Sequence, residues 1–273
     1  CRIVLDNDEA EALWTMPASL LAMLSRLPGN TRPLPIIADL TIPVPQLETA
    51  VVQIQRVLQH HGLTATLHAH AAIGALHFRP LAPLPTADSA ALWQSVAQEV
   101  AVVVKTLGGR SDGGRGAGLA WCESGGNRAV TQAIKDLFDP HGILNPGKRA
   151  NAQEAFPVHL FRAAAGPSLQ PLLLNWSASD NGLHESQRCN GCGQCRTTAP
   201  VERMCPFFRH SHDELASPRA KANTIRQLSS LPPDIDAWET PSGHRLLDTC
   251  FNCKQCEAEC PTGVDIPRLM IEA

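Results

Sequence analysis

The stretch CFNCKQCEAECP, from Cys250 to Pro261, places four cysteines and a proline close together. A structural zinc site usually takes four ligands from two pairs of the Cys-x2-Cys kind. Three thiols at this spacing suit an iron–sulfur cube better, because one tight loop can hold three corners while the fourth ligand comes from elsewhere. We therefore interpret the cysteines as [4Fe-4S] ligands, with zinc ligation and disulfide formation as the alternatives.

The same pattern occurs twice in the chain. Each copy has a triplet of cysteines and one later Cys-Pro, and the cysteines are Cys189, Cys192, Cys195 and Cys205 in the first copy and Cys250, Cys253, Cys256 and Cys260 in the second. In bacterial two-cluster proteins with this run, the fourth cysteine ligates the other cluster. We call this the crossed rule, since each cluster takes its fourth ligand from the other copy of the repeat. It predicts two [4Fe-4S] clusters, one held by Cys189, Cys192, Cys195 and Cys260 and the other by Cys250, Cys253, Cys256 and Cys205.

Composition limits the classes of function. The chain has 273 residues, a net charge of -3 and 44% hydrophobic residues, which excludes a strongly basic nucleic-acid binder. No run approaches the roughly 18 apolar residues of a membrane helix, so we expect a cytoplasmic location or peripheral attachment to the cytoplasmic face of a membrane. The chain begins with Cys1 rather than Met, which we interpret as an internal piece of a longer polypeptide.

The first part of the sequence alternates helical and strand-like patterns. Apolar residues recur at helical spacing in three stripes: Leu47, Val51, Ile54 and Leu58; Leu92, Val96, Val100, Val103 and Leu107; and Val130, Ile134 and Leu137. The segments LPIIADLTI, TATLHAHA and ALHFRP read as strands. This alternation predicts an α+β domain, a sheet with helices on one side, over residues 1–150. Residues 151–186 read as a linker with one short strand at LLLNW.

Residues 187–273 are expected to form a helical domain with the cysteines on loops. Ser217 and Pro218 can begin one helix, and Asp265 and Pro267 another. With the cysteine spacing, this part resembles the α-helical ferredoxin domain in the iron–sulfur subunits of succinate dehydrogenase and glycolate oxidase.

Two further stretches, HAHAAIGALHFRP (68–80) and DPHGILNPGK (139–148), resemble FAD-linked oxidases of the glycolate oxidase and D-lactate dehydrogenase type, in the vanillyl-alcohol-oxidase superfamily. The whole chain is similar to long single-chain members in which this flavoprotein is fused to an iron–sulfur domain. The resemblance implies a substrate-side cap domain followed by a ferredoxin domain. It also implies FAD, bound mainly by a domain outside this chain, with Asn145 and Lys148 near the flavin.

The resemblance also implies a metal site, which this sequence alters. His70 and His77 stand where family histidines bind a divalent metal together with the Glu of a Gly-Glu-His-Gly stretch. The matching stretch here is GGRGAG, with Gly114 at the Glu position and Arg115 at the His position. Two imidazoles without a third ligand predict weak metal binding. Arg115 is suited to hold a substrate carboxylate but cannot act as a base.

Other residues could complete or adjoin this site. Asp112 and Glu123 are candidates for the missing carboxylate, although neither occupies the family position. His60, His61 and His68 are expected to be solvated or capping residues.

The resemblance implies an FAD-dependent iron–sulfur oxidoreductase that oxidises a small D-2-hydroxy acid of the glycolate or D-lactate type. Its partners would be a flavin-binding domain, fused or in trans, and a downstream electron acceptor, either a quinone-linked chain or another carrier. Two alternatives stay open: an electron-transfer or assembly subunit whose cap domain has lost catalysis, and a zinc-binding interaction module.

Overall fold

The computed structural model describes residues 6–111, 127–146, 156, 173–177, 181–228 and 238–273. Packing divides the chain into two compact units. Residues 32–164 form the first, here called the sheet unit, and residues 1–31 join residues 165–273 in the second, called the cysteine unit. Helix α1 (Asn7–Leu24) therefore belongs to the cysteine unit, whereas the boundaries at 150 and 186 stay a prediction. In the described ranges, no helix is long and apolar enough to cross a membrane.

The sheet unit is organised around one strand that contacts all the others. Strand β4 pairs antiparallel with three shorter strands, and the bounds are β1 (Arg32–Pro33), β2 (Ile37–Thr41), β3 (Ala65–His70) and β4 (Ala75–Ala82). Half-buried and buried residues alternate along β4, which is the pattern of a strand with one face on a core. That core also contains helices α2 (Leu47–His60) and α3 (Ala90–Thr106).

The predicted apolar stripes differ in how they are used. In α2, Ile54 and Leu58 are buried and Leu47 and Val51 pack against the core, as predicted. In α3 the buried face is rotated by about one residue, and it consists of Trp93, Val96, Ala97, Val100 and Val104. In α4 (Asn127–Phe138) the third stripe is exposed at Val130, Ile134 and Leu137.

Besides α1, the described residues between 181 and 273 of the cysteine unit form short helices, as predicted. They are α5 (Gly182–Gln187), α6 (Pro206–Ser211), α7 (Pro218–Leu228), α8 (Pro241–Leu247), α9 (Gln255–Glu259) and α10 (Ile266–Glu272). The predicted caps are present: the Ala220 N–H donates to Ser217 Oγ, and the Arg268 N–H to Asp265 Oδ1. Residues from α7, α8, α9 and α10 form the core: Ala222, Ile225, Leu246, Cys256, Ile266 and Leu269.

The strand predicted at LLLNW is wrong for residues 173–176, which contain no strand in the structure. The carboxylate of Glu272 replaces a partner strand there. It accepts hydrogen bonds from the backbone N–H groups of Leu173 (2.6 Å) and Leu174 (2.9 Å) and from Trp176 Nε1 (2.9 Å). Because the backbone donors are satisfied by a side chain on α10, the segment needs no neighbouring strand.

Candidate cluster pockets and histidine site

The first pocket in the cysteine unit brings together cysteines from both copies of the repeat. It has a volume of about 390 Å³, and its lining includes Cys189, Cys192, Cys195 and Cys260. Cys260 follows the second triplet in sequence but lies with the first triplet in space. This is the set that the crossed rule groups together.

The second pocket holds the complementary set. It has a volume of about 290 Å³, and its lining includes Cys205, Cys250, Cys253 and Cys256. Cys256 also borders the first pocket, so the two pockets are close neighbours. All eight cysteines carry thiols rather than disulfides. The structure thus gathers them into two groups of four.

The two triplet loops share one backbone conformation. In the first loop Gly191 and Gly193 have positive φ, at 77° and 78°. At the equivalent positions of the second loop, Asn252 and Lys254 have φ of 56° and 64°. Glycine adopts this left-handed region at little cost and asparagine tolerates it, whereas lysine does so only under strain. The cysteine spacing therefore imposes the same turn on both loops, even where the residue type disfavours it.

Helix α7 contributes to both pockets. Pro218, Arg219 and Ala222 line the first pocket, and Lys221 lines the second. The Nζ atom of Lys221 lies 3.6 Å from Cys205 Sγ and donates to the Thr249 carbonyl oxygen at 2.7 Å. One helix thus places a cationic residue beside each group of cysteines.

The thiols within each pocket interact electrostatically. Burial raises the pKa of Cys195 to about 11, and its neighbours Cys189, Cys192 and Cys260 raise it too. Burial raises the pKa of Cys256 to about 12; Cys205, Cys250 and Cys253 act in the same direction, and Lys221 opposes them. Thiols of this kind are protonated at neutral pH and must release protons when they bind metal.

Four soft sulfur donors in each pocket suit an iron–sulfur cluster, because thiolates are the ligands that such clusters take. The residues present therefore fit the predicted clusters in both pockets.

The sheet unit contains a group of three histidines. His68 pairs directly with His77 across β3 and β4, and their ring centroids are 5.8 Å apart. The His70 ring lies 4.9 Å from His68 and 6.5 Å from His77. His68, expected to be a solvated or capping residue, is half-buried, and its register places its ring beside both predicted site histidines. His61 instead contacts Glu99 Oε1 at 2.7 Å.

An irregularity in β2 places Asp39 beside His77. The register of β2 against β4 shifts between Ile37 and Leu40, and Asp39 within this bulge has φ 57°. Its backbone N–H donates to His77 Nδ1 at 3.1 Å, and its Oδ1 lies 3.7 Å from the same nitrogen. Bulges of this kind redirect single residues toward a site.

The hydrogen bond from Asp39 determines which nitrogen of His77 carries the proton. Burial lowers the pKa of His77; the Asp39 charge raises it, and His68, Arg79 and His70 lower it. The ring is therefore neutral at pH 7, and because Nδ1 accepts a hydrogen bond, the proton is on Nε2. Among the described residues of the sheet unit, no group of three or more His, Cys, Asp or Glu side chains is arranged to hold a metal ion, and the role of His70 and His77 as ligands of a divalent metal stays a prediction.

Arg79 lies two residues from His77 on the same face of β4. Burial lowers the pKa of its guanidinium, and Asp39 raises it. A partly desolvated guanidinium beside an imidazole N–H offers hydrogen-bond donors for a carboxylate. Neither Arg79 nor Asp39 is among the site residues predicted from the sequence. The alternation along ALHFRP could have indicated Arg79, whereas Asp39 depends on a bulge that no sequence signal marks.

The remaining predicted site residues lie in the sheet unit or outside the described residues. Asn145 is exposed at φ 46°, at the end of a turn that Asp139 holds in place. Asp139 accepts from the backbone N–H groups of Ile143 (2.9 Å) and Leu144 (2.8 Å). A hydrogen bond from Lys135 and these two N–H groups lower the pKa of Asp139 to about 2. Arg115 and Lys148 lie outside the described residues, as do Gly114, Asp112 and Glu123.

Comparison with known families identifies both parts of the chain. A family described as FAD linked oxidases, C-terminal domain, matches residues 1–149. A 4Fe-4S dicluster domain matches residues 185–264. The matches confirm the predicted resemblance, the α+β fold class followed by a helical ferredoxin-like domain, and the FAD and [4Fe-4S] cofactor classes.

Curated proteins of two kinds are similar to the chain. A D-2-hydroxyglutarate dehydrogenase from Pseudomonas putida is 26% identical over 93% of this chain and 29% of its own length. The glycolate oxidase iron-sulfur subunit of Escherichia coli is 32% identical over 30% of this chain and 17% of its own length. The glycolate oxidase subunit GlcD of Bacillus subtilis is 29% identical over 52% of this chain and 31% of its own length. The chain thus spans under a third of the length of these relatives.

Proposed function

The chain belongs to the family of FAD linked oxidases, C-terminal domain, and we propose that it is the substrate-side and electron-relay part of a longer FAD-dependent iron–sulfur oxidoreductase. The observation that carries this proposal is the gathering of eight cysteines into two pockets of four, each drawing on both copies of the repeat. Clusters in these pockets would be held by Cys189, Cys192, Cys195 and Cys260 and by Cys205, Cys250, Cys253 and Cys256.

The proposed reaction is the oxidation of a D-2-hydroxy acid to the 2-oxo acid, which releases a hydride and a proton. When bound, FAD supplies the hydride acceptor, and the clusters supply single-electron transfer toward a quinone-linked chain or another carrier. The dehydrogenase relatives add D-2-hydroxyglutarate to the predicted candidates glycolate and D-lactate.

The histidine group is the proposed substrate side of this chain. Nε2–H of His77 and the guanidinium of Arg79 would donate hydrogen bonds to the carboxylate or hydroxyl oxygen of the acid, with no divalent metal between them. Arg115 would contribute a second cation, and Asn145 and Lys148 would contact the flavin. We further propose that the flavin-binding domain is fused or supplied in trans, and that the protein is cytoplasmic or peripheral on the cytoplasmic face of the membrane.

Rapid anaerobic mixing tests this proposal in the full-length protein with FAD and iron bound. D-2-hydroxyglutarate, D-lactate and glycolate are mixed in separately, while flavin absorbance and the electron paramagnetic resonance of the clusters are followed. We expect at least one of these acids to bleach the flavin first and reduce the clusters afterwards, and the L enantiomers of the chiral acids to do neither. The proposal would be overturned if dithionite reduces the clusters but none of the D-2-hydroxy acids bleaches the flavin.

A flavin that no D-2-hydroxy acid bleaches would support the alternative, an electron-transfer or assembly subunit whose cap domain has lost catalysis. One observation favours this alternative: Gly114 and Arg115 replace the residues expected in the family stretch.

A further inference from the structure

Lys221 is a buried cation beside one group of cysteines. Its relative exposure is 1%, and its Nζ lies 3.6 Å from Cys205 Sγ. The Thr249 carbonyl oxygen accepts from the same Nζ at 2.7 Å, which fixes the ammonium group at the wall of the second pocket. A buried lysine is rare, because removing its charge from water is costly unless a partner compensates.

In the first pocket, the cysteine equivalent to Cys205 is Cys260, and the hydrogen-bond partner of its sulfur is weaker than Lys221. Cys260 Sγ lies 3.4 Å from Thr262 Oγ1, a neutral hydroxyl. The exposed guanidinium of Arg26 donates to the backbone carbonyl oxygens of Cys260 and Pro261. Arg219, which lines the pocket, is engaged by a carboxylate: its Nη2 lies 2.6 Å from Glu214 Oε1, and 28% of its side chain is exposed. The carboxylate of Glu214 offsets its charge and solvent screens it. Cys205 and Cys260, the cysteines that follow the two triplets, thus differ in the group beside the sulfur: Cys205 Sγ has a charged donor and Cys260 Sγ has a neutral one.

We propose that Lys221 holds the reduction potential of the second cluster, at Cys205, Cys250, Cys253 and Cys256, above that of the first. The inference rests on the clusters of the proposed function. Reduction adds one negative charge to a cluster, and an ammonium group in a desolvated position stabilises the reduced form more than the oxidised form. Hydrogen bonds to cluster sulfurs from charged donors are roughly twice as strong as those from neutral donors. At equilibrium, an electron shared by the pair therefore resides mainly on the second cluster.

Anaerobic redox titration followed by electron paramagnetic resonance tests this assignment in the full-length protein. The two signals are assigned with Cys192→Ser, which changes the first pocket, and Cys253→Ser, which changes the second. Lys221→Gln keeps an N–H donor for Thr249 but removes the charge, and Lys221→Met removes both. The control is Lys254→Gln, because Lys254 is an exposed cation that lines the same pocket.

Lys221→Gln and Lys221→Met should each shift the one-electron equilibrium of the second cluster about tenfold toward the oxidised form, about 59 mV. The first cluster and the Lys254→Gln control should shift less than about threefold, and Lys221→Arg should restore most of the wild-type potential. In the unmodified protein the second cluster should have the higher potential of the two.

Three results would overturn the inference: an unshifted second cluster in an iron-loaded Lys221→Gln protein, a higher potential at the first cluster of the unmodified protein, or equal shifts in Lys221→Gln and Lys254→Gln. If Lys221→Gln and Lys221→Met both lose iron, the test is the order of the two cluster potentials in the unmodified protein. A higher potential at the second cluster supports the inference, and a higher potential at the first contradicts it. An unmodified protein without iron contradicts the proposed function itself and so is distinct from these results.

Discussion

Gly193 and Lys254 occupy the same position in the two cysteine loops and adopt the same left-handed backbone conformation, with φ of 78° and 64°. Glycine pays almost nothing for this conformation, whereas a residue with a Cβ pays about 1–2 kcal/mol. The second loop therefore holds strain that the first loop avoids.

Lys254→Gly should relieve that strain and stabilise the second loop by about 1 kcal/mol, after the extra chain entropy of glycine is subtracted. If the loop opens locally before iron leaves, release of iron from the second pocket to a chelator should slow about fivefold under anaerobic conditions.

The matched control is Gln255→Gly, one residue later at the start of α9. This glycine relieves no positive φ and should leave iron release unchanged or make it faster. Equal effects of the two substitutions would show that Lys254 is unstrained.

Replacing the cysteine of either Cys-Pro pair should damage the cluster that is held by the triplet of the other copy of the repeat. Cys260→Ser should destroy or convert the cluster of Cys189, Cys192 and Cys195, because Cys260 lines their pocket. Cys205→Ser should act on the cluster of Cys250, Cys253 and Cys256 in the same way. Iron analysis and electron paramagnetic resonance measure both changes. Loss of the Cys250 triplet's cluster in Cys260→Ser, with the other cluster intact, would mean that each run ligates its own cluster.

Divalent metals should have little influence on turnover. His70 and His77 offer two imidazoles with no third ligand among the described residues, and a metal at His77 Nε2 would have to displace the proton that the hydrogen bond from the Asp39 N–H to Nδ1 leaves there. We expect the full-length protein, with FAD bound, to oxidise D-lactate and glycolate slowly or not at all, and EDTA or added zinc to change the rate less than about twofold. Brisk turnover that EDTA abolishes would refute this, and would mean that Asp112, Glu123 or a residue outside this chain completes a metal site.

The protonation of His77 should make the sheet unit less stable in mild acid. Its pKa in the folded protein is below the ordinary value of 6.5, so the unfolded chain binds a proton that the folded chain does not, in the window below pH 6.5. Stability is therefore present above this window and is lost as the pH falls through the folded pKa.

Anaerobic urea unfolding at pH 7.5 and pH 5.5 measures this loss. The wild-type protein should lose more stability between the two pH values than His77→Gln, which has no titrating ring. A variant with the same pH dependence as the wild type would show that another group is responsible.

The sequence was sufficient wherever function depends on spacing along the chain. The two triplets and their Cys-Pro partners predicted the two groups that the pockets bring together, because the ligand pattern is a repeat that reads directly from residue order. The apolar stripe of α2 and the caps at Ser217 and Asp265 were predictable for the same reason, since they rest on local periodicity and hydrogen bonding.

Features that depend on tertiary contacts could not be predicted. Asp39 reaches His77 only through a bulge, and no sequence pattern marks the burial of Lys221 beside Cys205. The segment LLLNW has strand-like composition, yet Glu272 satisfies its backbone donors from α10. In α3, the large ring of Trp93 is buried while Leu92 is 37% exposed, which rotates the buried face away from the predicted stripe.

The metal content of the anaerobically purified protein tests the central claim most directly. Two cubane clusters require about eight irons and about eight acid-labile sulfides per chain, with a brown colour and a cluster signal after reduction. We predict these values for a protein that keeps all eight cysteines of the two pockets. Iron near zero with one or two tightly bound zinc ions per chain would contradict the account and would favour a zinc-binding interaction module.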